Sequence, residues 1–519
     1  NRDTTCPFRY PGGHVSTKGP SFTHSCHCER PKGAKQSELK PYNQLNSVGR
    51  FGLLRRSWED LLAMTRFGKG FEGLLLRNPR KIAWETVRQF DKTHTDPDEI
   101  LDSMIDPRID SRDKALAWEI AKGTIRYLKR LDYIARTFIK APIKSQKPKV
   151  LAALRIGLYQ LIQMDSIPPF AAVDQTVNLV ADEGMKRDAG FVNAILRNYL
   201  REPGKVKYPN PEDDPIGYLS VFYSYPEWLV KRWHSRYGYI ETVNMLSANN
   251  QRPKTFFRII NRKVNRDMVL ESFEKDEIDV EAGRYFPDYI STDDGQAVIQ
   301  SDLFKNGDLL VQDESQGLPI YLLDPPFGEE VLDLCSAPGG KTIALADTVG
   351  PDGKIISLDK DPERLKQVVE NAERAGFENI EYITADLMEF APSRKFRYIL
   401  LDVPCSGLGT LSHNVDLRWT KTEKDIRDLA KLQGRMLKKA ANLLAVGGKL
   451  VYSTCTTEPD EIEDVIDGFL KSERNFRLES GEVDLVGQFK TRAGTYRTWP
   501  HKHGIGGGGF ALLRKKDGA

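Results

Sequence analysis

Between about Arg80 and Arg201 apolar residues recur three and four positions apart. In KVLAALRIGLYQLI, Leu151, Leu154, Leu158, Leu161 and Ile162 fall on one stripe of a helix. AAVDQTVNLV and FVNAILRNYL repeat that period, and the prolines of DSIPP interrupt it, because proline cannot continue the backbone ladder. The pattern predicts a compact bundle of roughly five to seven helices. REPGKVKYPNPEDDP, residues 201–215, is rich in proline and charge and predicts a linker. From Asp302 the period changes. Short apolar runs (EVLDLC, KIISLD, IEYITAD, RYILLD, GKLVYST) alternate with helical segments, the rhythm of a doubly wound, mostly parallel sheet. Ligands of such sheets bind outside the carboxyl ends of the strands. Cys405 and Cys455 each follow such a run, in LLDVPCSGLG and LVYSTCTTEPDE, so both are predicted to face one crevice.

Composition narrows the class. The 519 residues are 40% hydrophobic and 29% charged, enough to bury large cores across roughly two to four domains. No apolar run is long enough to span a bilayer. Net charge is only +3, so affinity for nucleic acid must come from local patches. One candidate patch is QRPKTFFRIINRKVNR, residues 251–266, with Arg252, Lys254, Arg258, Arg262, Lys263 and Arg266 around Phe256 and Phe257. Basic side chains beside aromatics suit phosphate contact and base stacking. They equally suit a half-buried strand with a solvated face.

Six cysteines in so long a chain are no disulfide framework, and a reducing compartment is expected. The first fifty residues carry Asp3, Glu29 and Glu38 against Arg2, Arg9, Lys18, Arg30, Lys32, Lys35, Lys40 and Arg50, with scattered Ser and Thr. That composition fits an organellar transit peptide or a disordered basic tail. SCHCERPKG, near Cys6, fits no strong zinc template, and no metal is expected.

VLDLCSAPGGKT, residues 331–342, reads as strand, glycine turn and helix start. The glycines allow close backbone approach to a ligand, and the helix N-terminus favours a negative group. The spacing matches neither GxGxxG nor a phosphate-binding loop, which disfavours a dinucleotide or a nucleoside triphosphate. S-adenosylmethionine fits better, its negative end being one carboxylate. Asp359 ends the next strand, where an acid holds ribose hydroxyls, and Asp386 follows the third, placed to accept from an adenine amino group. A methyl donor limits what two thiols can do. C5 of a pyrimidine is too weak a nucleophile to take a methyl group directly, whereas thiolate addition at C6 makes C5 enamine-like. The sulfur must later leave, so a second group for that step is sensible.

DLCSAPGGKT, LDVPCSGLGT, DLRW, YSTCTTEPDE and RTWPHKHG together resemble the RsmB/NSUN (Sun/Fmu) family of RNA cytosine-C5 methyltransferases. LRIGLYQLIQMDSIPPFAAVDQTV and GFVNAILRN resemble NusB, the RNA-binding bundle that precedes the catalytic domain in the RsmB branch. The resemblance implies Cys455 as nucleophile, Cys405 assisting release of the methylated base, and Asp402 on the polar edge of the cytosine. It implies a donor site of Cys335, Ser336, Ala337, Pro338, Gly339, Gly340 and Lys341, with Asp359 and Arg364 on the ribose and amino-acid side, Asp386 on adenine and Asp402 nearby. QDESQG, residues 312–317, is expected to brace that loop. DNA cytosine methyltransferases attack with the cysteine of a Pro-Cys motif, so the Ser-Thr-Cys motif argues for RNA and against DNA. Two departures stand out. Ser412-His413-Asn414-Val415-Asp416 replaces a segment that in relatives often holds two arginines, and GIGGGGF, 504–510, is unusually rich in glycine.

The expected organisation is a multidomain chain: a leader over 1–75, an all-α NusB-like domain over 76–205, a small α+β RNA-binding subdomain over 206–300, and a Rossmann-like α/β methyltransferase domain over 301–519. The expected activity is S-adenosylmethionine-dependent methylation of cytosine C5, with small-subunit ribosomal RNA as the leading substrate and transfer RNA open. The other reading is a NusB-like RNA-binding or ribosome assembly factor whose methyltransferase domain is inactive. A dehydrogenase on a similar sheet fails on the glycine pattern. The chain is expected to act as a monomer without a membrane partner, the helical domain adding RNA affinity without chemistry. A bacterial-type architecture behind a basic leader points to the chloroplast, with mitochondrion or cytoplasm as alternatives.

Overall fold

The structure, a computed structural model, describes residues 75–517. Apart from Leu75, the expected leader and its SCHCERPKG cluster lie outside the described residues. Seven helices form the N-terminal domain: α1 (Pro79–Thr93), α2 (Pro97–Met104), α3 (Ser111–Arg126), α4 (Leu128–Phe138), α5 (Pro148–Gln163), α6 (Pro169–Asp182) and α7 (Lys186–Arg201). Several starts are written in the sequence. Asn78, Asp96 and Asp110 accept backbone N–H groups of the first turns of α1, α2 and α3, and proline opens α1 and α2. The stripe on α5 is wider than its period implies. Val150, Ala152, Ala153 and Ile156 are buried beside Leu154 and Leu158, because α5 is central to the bundle. Arg155 lies inside that surface and is paired with Asp132 at 2.7 Å and with Asp91, which ties α1, α4 and α5 together.

The linker is held in place. Tyr133 of α4 donates to the Lys207 carbonyl at 2.5 Å, and its ring stacks on Tyr208 at 5.7 Å. Two helices, Pro215–Phe222 and Glu227–Ala248, then lead to a small antiparallel sheet of order β2-β3-β1-β4. Its strands are β1 (Thr255–Ile259), β2 (Glu281–Ala282), β3 (Tyr289–Thr292) and β4 (Leu309–Val311). Because β4 pairs with β1, this sheet runs past residue 300, where the sequence reading begins the next domain.

The basic segment 251–266 is mostly structural. Arg258 on β1 is buried, pairs with Asp288 at 2.8 Å and lies over the Tyr289 ring. Arg262 donates to the carbonyls of Ala375 and Gly376, capping a helix C-terminus, and stacks on Phe377. Lys263 donates to the Asn306 carbonyl at 2.9 Å, and Lys254 pairs with Glu281. The stretch holds a strand, as one of the two sequence readings has it, but Phe256 to Ile259 are buried on both faces and no face of it is solvated.

The third domain is built on β5 (Glu330–Leu334), β6 (Lys354–Asp359), β7 (Ile380–Thr384), β8 (Phe396–Asp402), β9 (Leu444–Thr454), β10 (Phe476–Leu478), β11 (Tyr496–Thr498) and β12 (Gly508–Lys515). The order is β10-β12-β9-β8-β5-β6-β7, with β11 beside β12. Strands β5 to β9 are mutually parallel, and β12 runs antiparallel to β9. Alternate residues go to opposite faces. Val331, Leu400 and Val451 join one core with Ile343 and Ala372, while Leu332, Leu401 and Tyr452 join another with Leu437 and Ile466. From β5 the chain moves out through β6 and β7, then returns to β8 on the other side of β5. The order reverses between β5 and β8, which places a crevice at their carboxyl ends.

The buried Arg258 pair generates a stability prediction. Arg258→Ala leaves Asp288 charged and largely buried, at a cost of about 3–5 kcal/mol, while exposed Arg252→Ala stays near wild type. Urea denaturation of the two variants checks this; equal midpoints would contradict the structural role.

Candidate active site

β5 ends at Leu334, and the chain turns at once. Cys335 adopts a left-handed conformation (φ 61°), and Gly339 (φ 103°) precedes the helix Gly340–Val349. A Cβ on Gly339 would lie 2.9 Å from the Val368 backbone, so no larger residue fits. The turn is fastened to β6. Ser336 donates its N–H to the Leu358 carbonyl and accepts from the Ser357 hydroxyl at 2.7 Å. Asp359, at the end of β6, accepts the N–H groups of Ala337 and Asp361 at 3.1 and 3.0 Å. Arg364 donates to the Ala337 carbonyl at 2.8 Å. Asp386 stands exposed two residues beyond β7 and caps its own turn through the Met388 N–H. The expected donor-site residues Cys335 to Lys341, Asp359, Arg364 and Asp386 therefore border the ends of three successive strands.

On the other side of the switch point, β8 ends at Asp402 and β9 at Thr454. Asp402 and Ser453 are register partners, and Ser453 donates to Asp402 at 2.8 Å. Lys341, from the donor turn, donates to the other Asp402 oxygen at 2.8 Å and to Gln316 at 2.5 Å. Burial opposes the Lys341 charge, but Asp402 outweighs it and holds the ammonium above its ordinary range. Gln316 lies in QDESQG, which does brace this turn. Cys405 and Cys455 follow Asp402 and Thr454, and their sulfurs lie 2.8 Å apart. The contact with Cys455, then burial, pushes the Cys405 thiol well above its usual value. Burial drives Cys335 to about 12. Both are kept as thiols.

The acidic tail of LVYSTCTTEPDE holds the two cysteine loops together. Glu461 accepts the Ser406 N–H at 2.8 Å, the Ser406 hydroxyl at 2.5 Å and the Gln433 amide at 2.9 Å. Glu458 is fully buried and accepts from Arg232, Trp233 and Arg236 at 2.5, 2.8 and 2.8 Å, while Asp460 pairs with the same two arginines. Gly409 donates its N–H to the Cys455 carbonyl at 3.1 Å and accepts from Gly507 at 2.8 Å. The glycine run is close-packed. Gly506 donates to Asp313, and a Cβ on Gly507 or Gly509 would meet Gly409 Cα at 2.9 Å or Ile462 at 2.0 Å.

Several site residues escaped the sequence reading. Glu461, Gln433 and Ser453 were visible as polar residues, but their partners are far away in sequence. Asp333, inside the VLDLC run, was given no role. It is fully buried, accepts the Thr342 hydroxyl at 2.6 Å, and burial raises it to about 7. In the segment Ser412–Asp416, the Ser412 carbonyl accepts from Arg126 of the helical domain and Val415 lies inside that domain's core. No group of three or more His, Cys, Asp or Glu among the described residues could hold a metal ion.

Two predictions arise here. Glu461→Ala leaves the buried Ser406 N–H without its acceptor, at about 1–3 kcal/mol, and takes one of two partners from the Ser406 hydroxyl and the Gln433 amide; calorimetry should show a lowered unfolding temperature, and an unchanged one would remove the clamp from the argument. Asp333 is ionised in the unfolded chain above its ordinary carboxylate range but stays protonated in the folded state up to about 7. Wild-type stability therefore falls as pH rises between the two values, by about 1.4 kcal/mol per unit at most. Asp333→Asn should lack that slope and gain on wild type from pH 5 to 7, as urea midpoints across pH will show.

Comparison with known proteins follows the same partition. The family model described as 16S rRNA methyltransferase RsmB/F matches residues 320–514, the NusB family model 77–201, and a Methyltr_RsmF/B-like, ferredoxin-like domain 225–298. The probable ribosomal RNA small subunit methyltransferase B of Bacillus subtilis is 33% identical over 445 residues, covering 84% of this chain and 98% of the relative. The crystal structure of PH0851 superposes with a TM-score of 0.68 at 25% identity, covering 85% of this chain and all of that one. A methyltransferase homologue from Pyrococcus horikoshii matches 57% of this chain and 97% of its own, with a TM-score of 0.51 and 28% identity.

Proposed function

Given that this chain belongs to the RsmB/F methyltransferase family, we propose that it moves the methyl group of S-adenosylmethionine to C5 of a cytosine in small-subunit ribosomal RNA. The observation that carries this reading is the pair of thiols in contact at the ends of β8 and β9, beside an aspartate loaded by Lys341 and Ser453.

The donor turn suits the methyl donor. Gly339 brings the backbone close, the helix Gly340–Val349 presents free N–H groups to a carboxylate, and Asp359 and Asp386 offer acceptors at the next two strand ends. When bound, S-adenosylmethionine supplies an electrophilic methyl group on sulfur.

Cys405 is held as a thiol in contact with Cys455, and Cys455 is taken as the attacking group from its place in the family's Ser-Thr-Cys motif. Lys341, held charged by Asp402, is the cation beside this pair. The Cys455 sulfur bonds to C6, and the C5–C6 π electrons move into the ring. C5 would then take the methyl group, with S-adenosylhomocysteine leaving. Water accepts the C5 proton, the electron pair of that C–H bond restores the C5–C6 double bond, and the Cys455 sulfur departs as a thiolate received by the Cys405 S–H, which is how Cys405 assists release. Asp402 has one lone-pair side engaged on each oxygen and is placed to meet the polar edge of the base. An inactive RNA-binding protein would have no need of this constellation.

The NusB-like domain supports RNA as partner. The basic, acid-poor leader supports an organellar address, which we take to be the plastid; residues 1–70 fused to a fluorescent reporter in plant cells should leave the cytosol.

The cysteines should fail differently. Cys455→Ala abolishes methyl transfer, because no bond to C6 forms. Cys405→Ala permits attack but stalls release, so protein accumulates on labelled ribosomal RNA as a band that survives denaturing electrophoresis. Trapping by Cys455→Ala in place of Cys405→Ala would reverse the roles, and bisulfite sequencing of the product RNA tests the C5 assignment.

A further inference from the structure

The segment that leaves Cys405 does not end in the catalytic domain. Leu408 and Leu411 are buried against Leu219, Trp233 and Ile426. The chain then crosses to the C-terminal end of α3. Arg126 of α3 donates to the Ser412 carbonyl at 2.8 Å, and the Trp419 indole donates to the Ile125 carbonyl at 2.8 Å. Val415 is fully buried in the helical domain's core, and Trp419 packs on the same core.

Arg418 closes the joint. Its guanidinium is fully buried and lies 4.1 Å from the centre of the Tyr225 ring. It donates to the Asn250 side chain at 2.7 Å and to the carbonyls of Leu411, Asn249 and Arg126 at 3.0, 3.2 and 3.4 Å. One side chain thus joins the helical domain, the helix Glu227–Ala248 and the loop that begins at Cys405. A planar fork with several donors can do this; an ammonium cannot.

We propose that the helical domain positions Cys405, with Arg418, Trp419 and Arg126 as positioning residues for the release step. The argument is mechanical. Five residues separate Cys405 from Leu411, and Gly409 among them is bonded to the Cys455 carbonyl. With the far end held by α3, the loop keeps the two sulfurs in contact. Glu461 fixes Ser406 beside the thiol, and the seam fixes the outgoing end of the loop; loosening that end widens the range of Cys405 against Cys455 while the Glu461 clamp and the bundle keep their contacts. This deepens the proposed function and rests on it, because it names what holds one of its two thiols.

The test uses the full chain. Trp419→Phe keeps the packed ring and removes one hydrogen bond to α3; Arg126→Met keeps most of the stem and removes the bond to Ser412. Each is expected to lower kcat for ribosomal RNA roughly tenfold with KM little changed, the scale of one well-placed hydrogen bond. Each should also build up the denaturant-resistant protein–RNA adduct seen with Cys405→Ala. A merely structural seam would lower the unfolding temperature and raise KM without adduct, and that result overturns the proposal, as does wild-type turnover in both variants. Should Trp419→Phe not fold, Arg126→Met alone decides. Wild type and Cys405→Ala run alongside separate the two levels. If wild type leaves RNA unmethylated, the functional reading falls and takes this one with it. If wild type methylates and Cys405→Ala traps RNA, the seam variants judge the positioning role by itself.

Discussion

A single buried carboxylate sets the geometry of the site. Parallel strands deliver their ends to one edge, but the loops beyond those ends are free to part. Glu461, six residues after one cysteine, accepts both polar hydrogens of Ser406, the residue after the other. Gln433 joins this carboxylate and reaches on to the Pro404 carbonyl at 3.0 Å. Burial raises the Glu461 carboxyl, so the interaction is costly to form and correspondingly costly to break. The contact between the sulfurs is a consequence of this clamp as much as of the sheet.

The same economy recurs wherever elements meet. Arg155 with Asp91 and Asp132 joins three helices, Arg258 with Asp288 joins a strand to its neighbouring turn, and Arg232 and Arg236 seat the helix Glu227–Ala248 on Glu458 and Asp460. Buried pairs of this kind add little net stability over apolar packing, but a mismatched partner is heavily penalised. They act as registration marks. Arg418 differs from these pairs: its terminal nitrogens meet carbonyls and an amide, its Nε has no partner among the described residues, and burial lowers it to about 10.

Local patterns were readable where the physics is local. Short apolar runs at β5, β8 and β9 between helical segments identified the sheet, the prolines of DSIPP marked a break between helices, and the Gly339-Gly340 turn announced the donor loop. Long-range partners were not readable. Nothing in RIINRK tells that Asp288 waits thirty residues downstream of Arg258, so six positive charges looked like a surface for phosphate. Likewise Ser412–Asp416 looked only like the loss of two arginines, because sequence cannot reveal that Val415 completes a core built almost 300 residues earlier. Asp402 was implied by the family resemblance, but the lysine that loads it lies 61 positions away.

The glycine run near the C-terminus carries a last lesson, in genetic terms. By composition GIGGGGF is spacer, the kind of stretch assumed to absorb substitutions freely. In the fold Gly506 to Gly509 are threaded between Asp313, Gly409, Thr454 and Ile462, and any side chain at these positions collides with them. Every amino-acid change reachable from a glycine codon adds at least a Cβ. The low-complexity segment is therefore among the least editable parts of the gene, and since Gly507 rests on the loop between the two cysteines, a single methyl group there would be felt at the reacting sulfurs.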